Sequence, residues 1–80
     1  MSEQEQQQLV ALGRAVRRLR ERRGLTQEQL AKAAGMSQQR LHALEAGEVD
    51  PHFDTLLALA DGLGVRPATL FRAAQDDEAR

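Results

Sequence analysis

Residues 27–46 constrain the fold of this 80-residue chain most, because two short helical patterns meet there around Gly35. Apolar and small residues recur at the intervals of a single helix face in each half, namely Leu30, Ala31, Ala34, Leu41 and Leu44. Glycine adopts a left-handed backbone without steric cost, so Gly35 is suited to reverse the chain within about four residues. The methyl group of Ala31 allows the two backbones to approach closely. The segment therefore predicts two short helices joined by a tight turn.

Sequence signals for helix ends support this pattern. Thr26 is placed as an N-cap, and Gln29 three residues later can complete a capping box. Ser37 is placed in the same way before the next helix, with Arg40 at the third helical position. We therefore predict that the two helices begin directly after Thr26 and Ser37.

Three further helices are predicted from apolar periodicity. The first covers about residues 9–23, and Gly24 follows it as a C-terminal cap. The fourth covers residues 53–63, after the turn GEVDP. A short fifth helix has Pro67 in its first turn. The chain contains neither a strand pattern nor an internal repeat. The predicted fold class is all-α, a five-helix orthogonal bundle with a helix-turn-helix.

One small domain is expected for a chain of this length. Residues 1–8, MSEQEQQQ, are polar and predict a flexible N-terminal extension or a loose continuation of the first helix. Residues 9–73 form the domain itself. Residues 74–80 lack periodicity and predict a flexible C-terminal tail.

Composition argues against several classes of function. The chain has no cysteine, and His42 and His52 have no convincing companions, so we expect no metal, no cofactor and no enzymatic activity. The first residues lack the basic and apolar regions of a signal peptide, and no apolar run approaches the roughly 20 residues of a membrane span. We therefore expect a cytoplasmic protein without a membrane partner.

Positive charge is concentrated on one part of the chain although the formal net charge is −1. Residues 9–47 carry seven arginines and one lysine against three glutamates, or +5, whereas residues 48–80 carry −4. Such asymmetry is typical of a protein that presents one basic face to a polyanion. A solvated basic helix is the alternative interpretation.

With these patterns in place, the chain resembles the Xre family, which includes the lambdoid phage repressors and Cro. The resemblance covers about residues 9–73 and depends on LGRAVRRLRERRGLTQEQLA, GMSQQRLHALEAG, PHFDTLLALADGLGV and PATLF. It implies a λ-repressor-like domain that binds double-stranded DNA and inserts its third helix into the major groove.

The resemblance also implies roles for individual residues. The base-contacting residues would be Ser37, Gln38, Gln39 and His42. Gln27 would contact a phosphate and brace the recognition helix. The residues themselves add Arg40, Lys32 and Thr26 as phosphate contacts, because long cations beside a groove and the free backbone amides at the start of a helix both suit phosphate. The side-chain chemistry agrees, because a glutamine amide matches adenine N6 and N7 and a histidine can donate to guanine.

An ion pair between Arg20 and Glu45 is a further implication of the resemblance. Glu45 follows Leu44 and lies close to the buried stripe, where a carboxylate needs a partner. The chain departs from the family in the loop after the third helix, where relatives carry basic residues and this chain has Glu48 and Asp50. Basic contacts would then fall on Arg40, Lys32 and the end of the first helix.

Two functions remain open at this stage. The first is a DNA-binding transcriptional regulator, in particular a repressor, that acts as a homodimer on an inverted repeat and dimerises through Val65, Leu70 and Phe71 or uses these residues in its core. The second is a protein-interaction module of a regulatory or toxin-antitoxin complex that keeps the fold but binds DNA weakly. Steep salt dependence of DNA binding distinguishes them.

Overall fold

The computed structural model describes residues 2–79, which form five α-helices and no strand. The helices are α1 (Glu3–Arg22), α2 (Gln27–Ala33), α3 (Gln38–Glu45), α4 (Phe53–Leu63) and α5 (Pro67–Glu78). This architecture confirms the predicted all-α fold class. None of these helices combines the length and the apolar character needed to cross a bilayer.

One apolar core joins all five helices. Its largest fully buried side chains are Val16, Leu30, Leu41, Leu44, Leu59, Leu63 and Leu70. Helix α1 packs along α5 and against α3, while α2 packs against α3 and α4. The core thus holds α2 and α3 against a scaffold made by the other three helices.

The turn between α2 and α3 has the predicted geometry. Gly35 has a φ of 69°, in the left-handed region where a side chain is disfavoured. The backbone N–H of Met36 then donates to the carbonyl of Ala31 at 2.9 Å, which closes the end of α2. Ala31 itself is buried. The helix-turn-helix prediction for residues 27–46 is therefore confirmed.

Helix α1 begins at Glu3, earlier than the predicted start near residue 9, so residues 3–8 continue the first helix, which is one of the two alternatives predicted for them. The hydroxyl of Ser2 accepts a hydrogen bond from the backbone of Glu5, whose carboxylate accepts one from the backbone of Ser2. Farther along, Gln6 Nε2 donates to the carbonyl of Gly47 at 3.2 Å. A capping box and a contact with the loop after α3 therefore extend the helix through polar residues that show no apolar stripe.

The fifth helix also extends beyond its predicted end, because α5 continues through residues 74–78, where the sequence predicts a flexible tail. Asp77 is only 7 % exposed and accepts a hydrogen bond of 2.7 Å from Arg18 Nη2 on α1. Arg14 Nη1 lies 4.0 Å from the same carboxylate. The ion pair anchors a segment that was predicted to be a flexible tail. Met1 and Arg80, the outermost residues of the two predicted flexible ends, lie outside the described residues.

Candidate nucleic-acid interface

Helix α3 is held by its apolar side and leaves its polar side uncovered. Leu41 and Leu44 are buried in the core. The hydroxyl of Ser37 accepts a hydrogen bond from the backbone N–H of Arg40 at 3.1 Å, as an N-cap does. That acceptor role leaves the hydroxyl hydrogen of Ser37 free to donate. Core packing and the cap together fix the direction in which the polar side chains point.

The polar side of α3 consists of Gln38, Gln39 and His42, which we call the recognition face. All three residues are exposed. At about 100° per residue, they lie within one sector of the helix, opposite the buried leucines. Arg40 is also exposed, but it lies outside this sector, on the side of α3 next to Leu44. The recognition face itself therefore offers amide and imidazole groups.

Helix α2 contributes Gln27 to the same surface. Gln27, Gln38, Gln39 and His42 line a shallow cleft of about 290 Å³. The fold thus brings together four of the residues that are predicted to contact DNA. Their amides and imidazole supply both donors and acceptors, which is what the edge of a base pair in the major groove requires.

Gln27 also connects α2 to the end of the recognition helix. Its Nε2 donates to Glu45 Oε1 at 3.0 Å. The amide group has two N–H bonds, so one remains free for another acceptor, such as a phosphate oxygen. The bracing contact is present, while the phosphate contact of Gln27 remains a prediction.

The predicted ion pair between Arg20 and Glu45 is present and nearly buried. Arg20 Nε donates to Glu45 Oε2 at 2.7 Å, and Arg20 Nη2 donates to Oε1 at 3.0 Å. Arg20 Nη1 donates to the carbonyl of Leu25 at 2.9 Å. The hydrogen bond to Glu45 raises the pKa of Arg20 above its ordinary value, and burial opposes this rise without cancelling it. The pair locks α3 onto α1 in a fork geometry.

Gly13 is a structural residue that the sequence interpretation missed. A Cβ atom at this position would lie 2.5 Å from the carbonyl oxygens of both Leu44 and Glu45. Only a glycine lets α1 pass this close to the C-terminal end of α3. An isolated glycine inside an otherwise regular helical pattern was the available signal.

The other residues that are predicted to contact DNA phosphates are exposed but lie farther apart. Thr26 precedes Gln27, and its hydroxyl accepts from the backbone of Gln29 at 3.1 Å. Lys32 lies in the last turn of α2 and does not line the cleft of the recognition face. DNA contacts by Thr26, Lys32 and Arg40 remain predictions.

The basic residues of α1 do not all face the same way. Arg14 and Arg18 point toward Asp77 on α5, whereas Arg20 points toward Glu45 on α3. Part of the positive charge counted along the sequence is therefore directed away from the recognition face. Across residues 2–79 no cluster of His, Asp and Glu side chains could hold a metal ion.

Comparisons with known proteins agree with this geometry. A family model described as a helix-turn-helix domain matches residues 11–74. The chain is 50 % identical over 48 residues to the HTH-type transcriptional regulator y4dJ of Sinorhizobium fredii, which covers 60 % of this chain and 62 % of that protein. It is 41 % identical over 69 residues to the HTH-type transcriptional regulator Rv0023 of Mycobacterium tuberculosis, covering 84 % of this chain. The chain spans only 27 % of the length of that second relative.

Solved structures show the same similarity in three dimensions. The restriction-modification controller protein C.AhdI of Aeromonas hydrophila superposes with a TM-score of 0.76 at 34 % identity, over 78 % of this chain and 94 % of that one. The clp gene regulator ClgR of Corynebacterium glutamicum superposes with a TM-score of 0.84 at 30 % identity, over 88 % and 90 %. Both the fold and the helix-turn-helix segment are shared with regulators, so this chain belongs to the helix-turn-helix family, in the Xre group that its sequence resembles.

Proposed function

We propose that this chain is a sequence-specific regulator that reads the major groove of double-stranded DNA with α3 and represses transcription. The observation that carries the proposal is the recognition face, in which Gln38, Gln39 and His42 are exposed on a helix that is locked in place by Arg20 and Glu45. Base readout needs such polar groups on a rigid support, because loosely held side chains cannot match one base-pair edge better than another.

We propose that the regulator acts as a homodimer. One module of this size makes few base and phosphate contacts, and linking two modules raises the effective concentration of the second at its half-site. An inverted repeat with half-sites about 34 Å apart would match the twofold symmetry of such a dimer. Each domain measures 31 × 22 × 20 Å, so two copies in contact can place their recognition helices at about this separation.

The surface that we propose for dimerisation differs in part from the one that the sequence analysis considers. Leu70 is fully buried and Val65 packs partly buried against the core, so these two residues close the domain. Phe71 is 39 % exposed, and its ring stacks on that of Phe53, which is 64 % exposed, with centroids 6.3 Å apart. Leu57 lies one helical turn after Phe53 on α4 and is also exposed, and we call these three residues the apolar patch. We propose that a second copy of the chain covers this patch.

Repression would result from occupancy of the operator by the dimer. A dimer that covers both half-sites of an operator excludes other proteins from the same grooves. Such exclusion needs no further activity from the chain, and it depends only on affinity and protein concentration.

The experiment that tests the function is selection of bound sites from a pool of random duplexes. We expect an inverted repeat to be enriched, with half-sites about one helical turn apart. Binding to the enriched duplex should weaken steeply as salt rises, because each contacted phosphate releases counterions. Failure to retain any duplex at low salt would reject the proposal.

The acidic loop favours a second candidate function. Glu48 and Asp50 are exposed directly after the recognition helix, where they would repel a phosphate backbone. A protein-interaction module that keeps the fold and uses another surface would tolerate these acids. Absence of DNA binding together with formation of a stable complex with a protein partner would support this candidate.

A further inference from the structure

Beside the cleft of the recognition face lies a second shallow cleft, of about 300 Å³, on the side of α1. It is lined by Arg17, Arg20, Gln27, His42, Glu45 and Ala46. Gln27 and His42 line both clefts, so the two form one continuous surface. We call the second one the arginine cleft. It extends the proposed DNA surface from α3 onto α1.

The two arginines of the arginine cleft differ in how far they are already engaged. Arg20 is nearly buried, and its guanidinium is bound by Glu45 and by the carbonyl of Leu25. Arg17 has a side chain that is 64 % exposed. Among residues 2–79 the only hydrogen bond of this side chain runs from Nε to Glu21 Oε2 at 3.5 Å. The Nη1 and Nη2 groups of Arg17 are therefore available to an external anion.

The pair between Arg17 and Glu21 is weak. Both side chains are exposed, and the residues are one helical turn apart on α1. Exposed pairs at this spacing contribute little to stability and are screened by salt. A phosphate can bind both Nη groups of a guanidinium at once, which is a stronger arrangement than one long contact to a carboxylate.

We propose that Arg17 is a DNA-backbone contact and that Glu21 competes with phosphate for it, which lowers the affinity of the domain for DNA. This inference rests on the proposed function and deepens it. Arg17 would also supply a cation near the recognition helix, because the loop after that helix carries the acids Glu48 and Asp50. Arg17 positions the duplex and carries no sequence information, because it contacts only the backbone.

The test uses three variants, R17Q, E21Q and the double variant R17Q/E21Q, with R14Q as the matched control. Arg14 lies on the same helix and has a side chain 68 % exposed, but it faces Asp77 on α5. Binding is measured by fluorescence anisotropy across a range of salt, on the duplex enriched by selection and on a scrambled duplex of equal length.

We expect R17Q to lower affinity about tenfold on both duplexes and to reduce the salt slope by about one, whereas R14Q changes affinity less than threefold and leaves the slope intact. E21Q should raise affinity about twofold in the unaltered chain and have no effect in the R17Q background.

Three results would contradict the proposal. Equal losses in R17Q and R14Q would overturn the contact, because net charge alone would then explain the effect. A gain from E21Q that persists without Arg17 would overturn the competition, because Glu21 would then act on the duplex directly. If the unaltered chain retains no duplex at low salt, the proposed function fails first, and the inference that rests on it fails as well.

Discussion

Arg20 on α1 and Glu45 at the end of α3 are joined by two parallel hydrogen bonds, of 2.7 Å and 3.0 Å, across 25 residues of sequence. The same carboxylate accepts a third hydrogen bond, from Gln27. One buried carboxylate therefore connects the scaffold helix α1, the N-terminus of α2 and the recognition helix. The orientation of the recognition face depends on this connection.

Replacement of Glu45 by alanine should destabilise the domain strongly. Arg20 would be left nearly buried without its counter-charge, at a cost of about 3 kcal/mol. In a domain of this size that corresponds to a fall of roughly 12–24 °C in the thermal midpoint, measured by circular dichroism. Glu48→Ala, which removes an exposed acid three residues later, is the control and should shift the midpoint little. Equal midpoints for the two variants would contradict a structural role for the pair.

Gly13→Ala should also destabilise the domain, although alanine is the better helix former by about 1 kcal/mol. The new methyl group would lie 2.5 Å from two carbonyl oxygens of α3, so the helices would have to separate, at a cost of about 1–3 kcal/mol. Urea unfolding measures the effect.

Gly62→Ala provides the comparison for Gly13→Ala. It is another glycine inside a helix, but its Cβ would lie 3.1 Å from a methyl group, Cδ1 of the buried Leu30, and not against the backbone of another helix. This variant should destabilise the domain less than Gly13→Ala does, because the end of a side chain can give way more easily than two backbone carbonyl groups. A stabilising effect at both positions would show that α1 and α3 are not in close contact.

Asp77→Asn tests the anchoring of the C-terminal turns of α5. The amide would keep the shape of the side chain but lose the charge that binds Arg18, so the free energy of unfolding should fall by about 1–2 kcal/mol. Asp76→Asn changes the neighbouring exposed carboxylate and should have almost no effect. Hydrogen exchange should show faster opening of residues 74–78 in the first variant only. Identical exchange in both variants would mean that the ion pair does not hold this segment.

Local signals in the sequence were sufficient to predict most of the fold. The spacing of Leu30, Leu41 and Leu44 indicated two short helices, and the caps at Thr26 and Ser37 indicated where they begin. These features depend on residues within one or two turns of each other, so they can be found without knowledge of the tertiary structure. The recognition face was predictable for the same reason, since it is the side of α3 opposite the leucines.

The remaining features depend on residues far apart in the sequence. Arg18 and Asp77 are 59 residues apart, and Gln6 and Gly47 are 41 residues apart, so no local pattern indicates either contact. These contacts are the reason that both outer helices are longer than predicted. Likewise, the sequence shows a basic segment, but only the packing of α1 shows that Arg17 faces α3.

Gln39→Ala and Arg40→Ala should affect DNA binding in different ways. Loss of a base contact should relax the preference at one position of the half-site, with a discrimination of about 1–3 kcal/mol removed. Loss of a phosphate contact should weaken all duplexes alike and reduce the salt slope by about one. Repeating the selection with each variant gives the measurement, and the two variants serve as controls for each other. The reverse pattern would show that their roles are exchanged.

The double variant F53S/F71S should separate dimerisation from folding. Neither ring belongs to the buried core, so the monomer should remain folded. It should lose the contribution of the stacked pair, about 0.5–1.5 kcal/mol, together with that of the apolar area that Phe71 buries. Sedimentation velocity should show a dimer for the unaltered chain and for Gln75→Ser, which changes an exposed residue of α5, and a monomer for the double variant. Binding to an isolated half-site should be unchanged, whereas the advantage of the complete inverted repeat should disappear, because the two modules are no longer linked. A dimer that survives the double substitution would place the contact between copies on another surface.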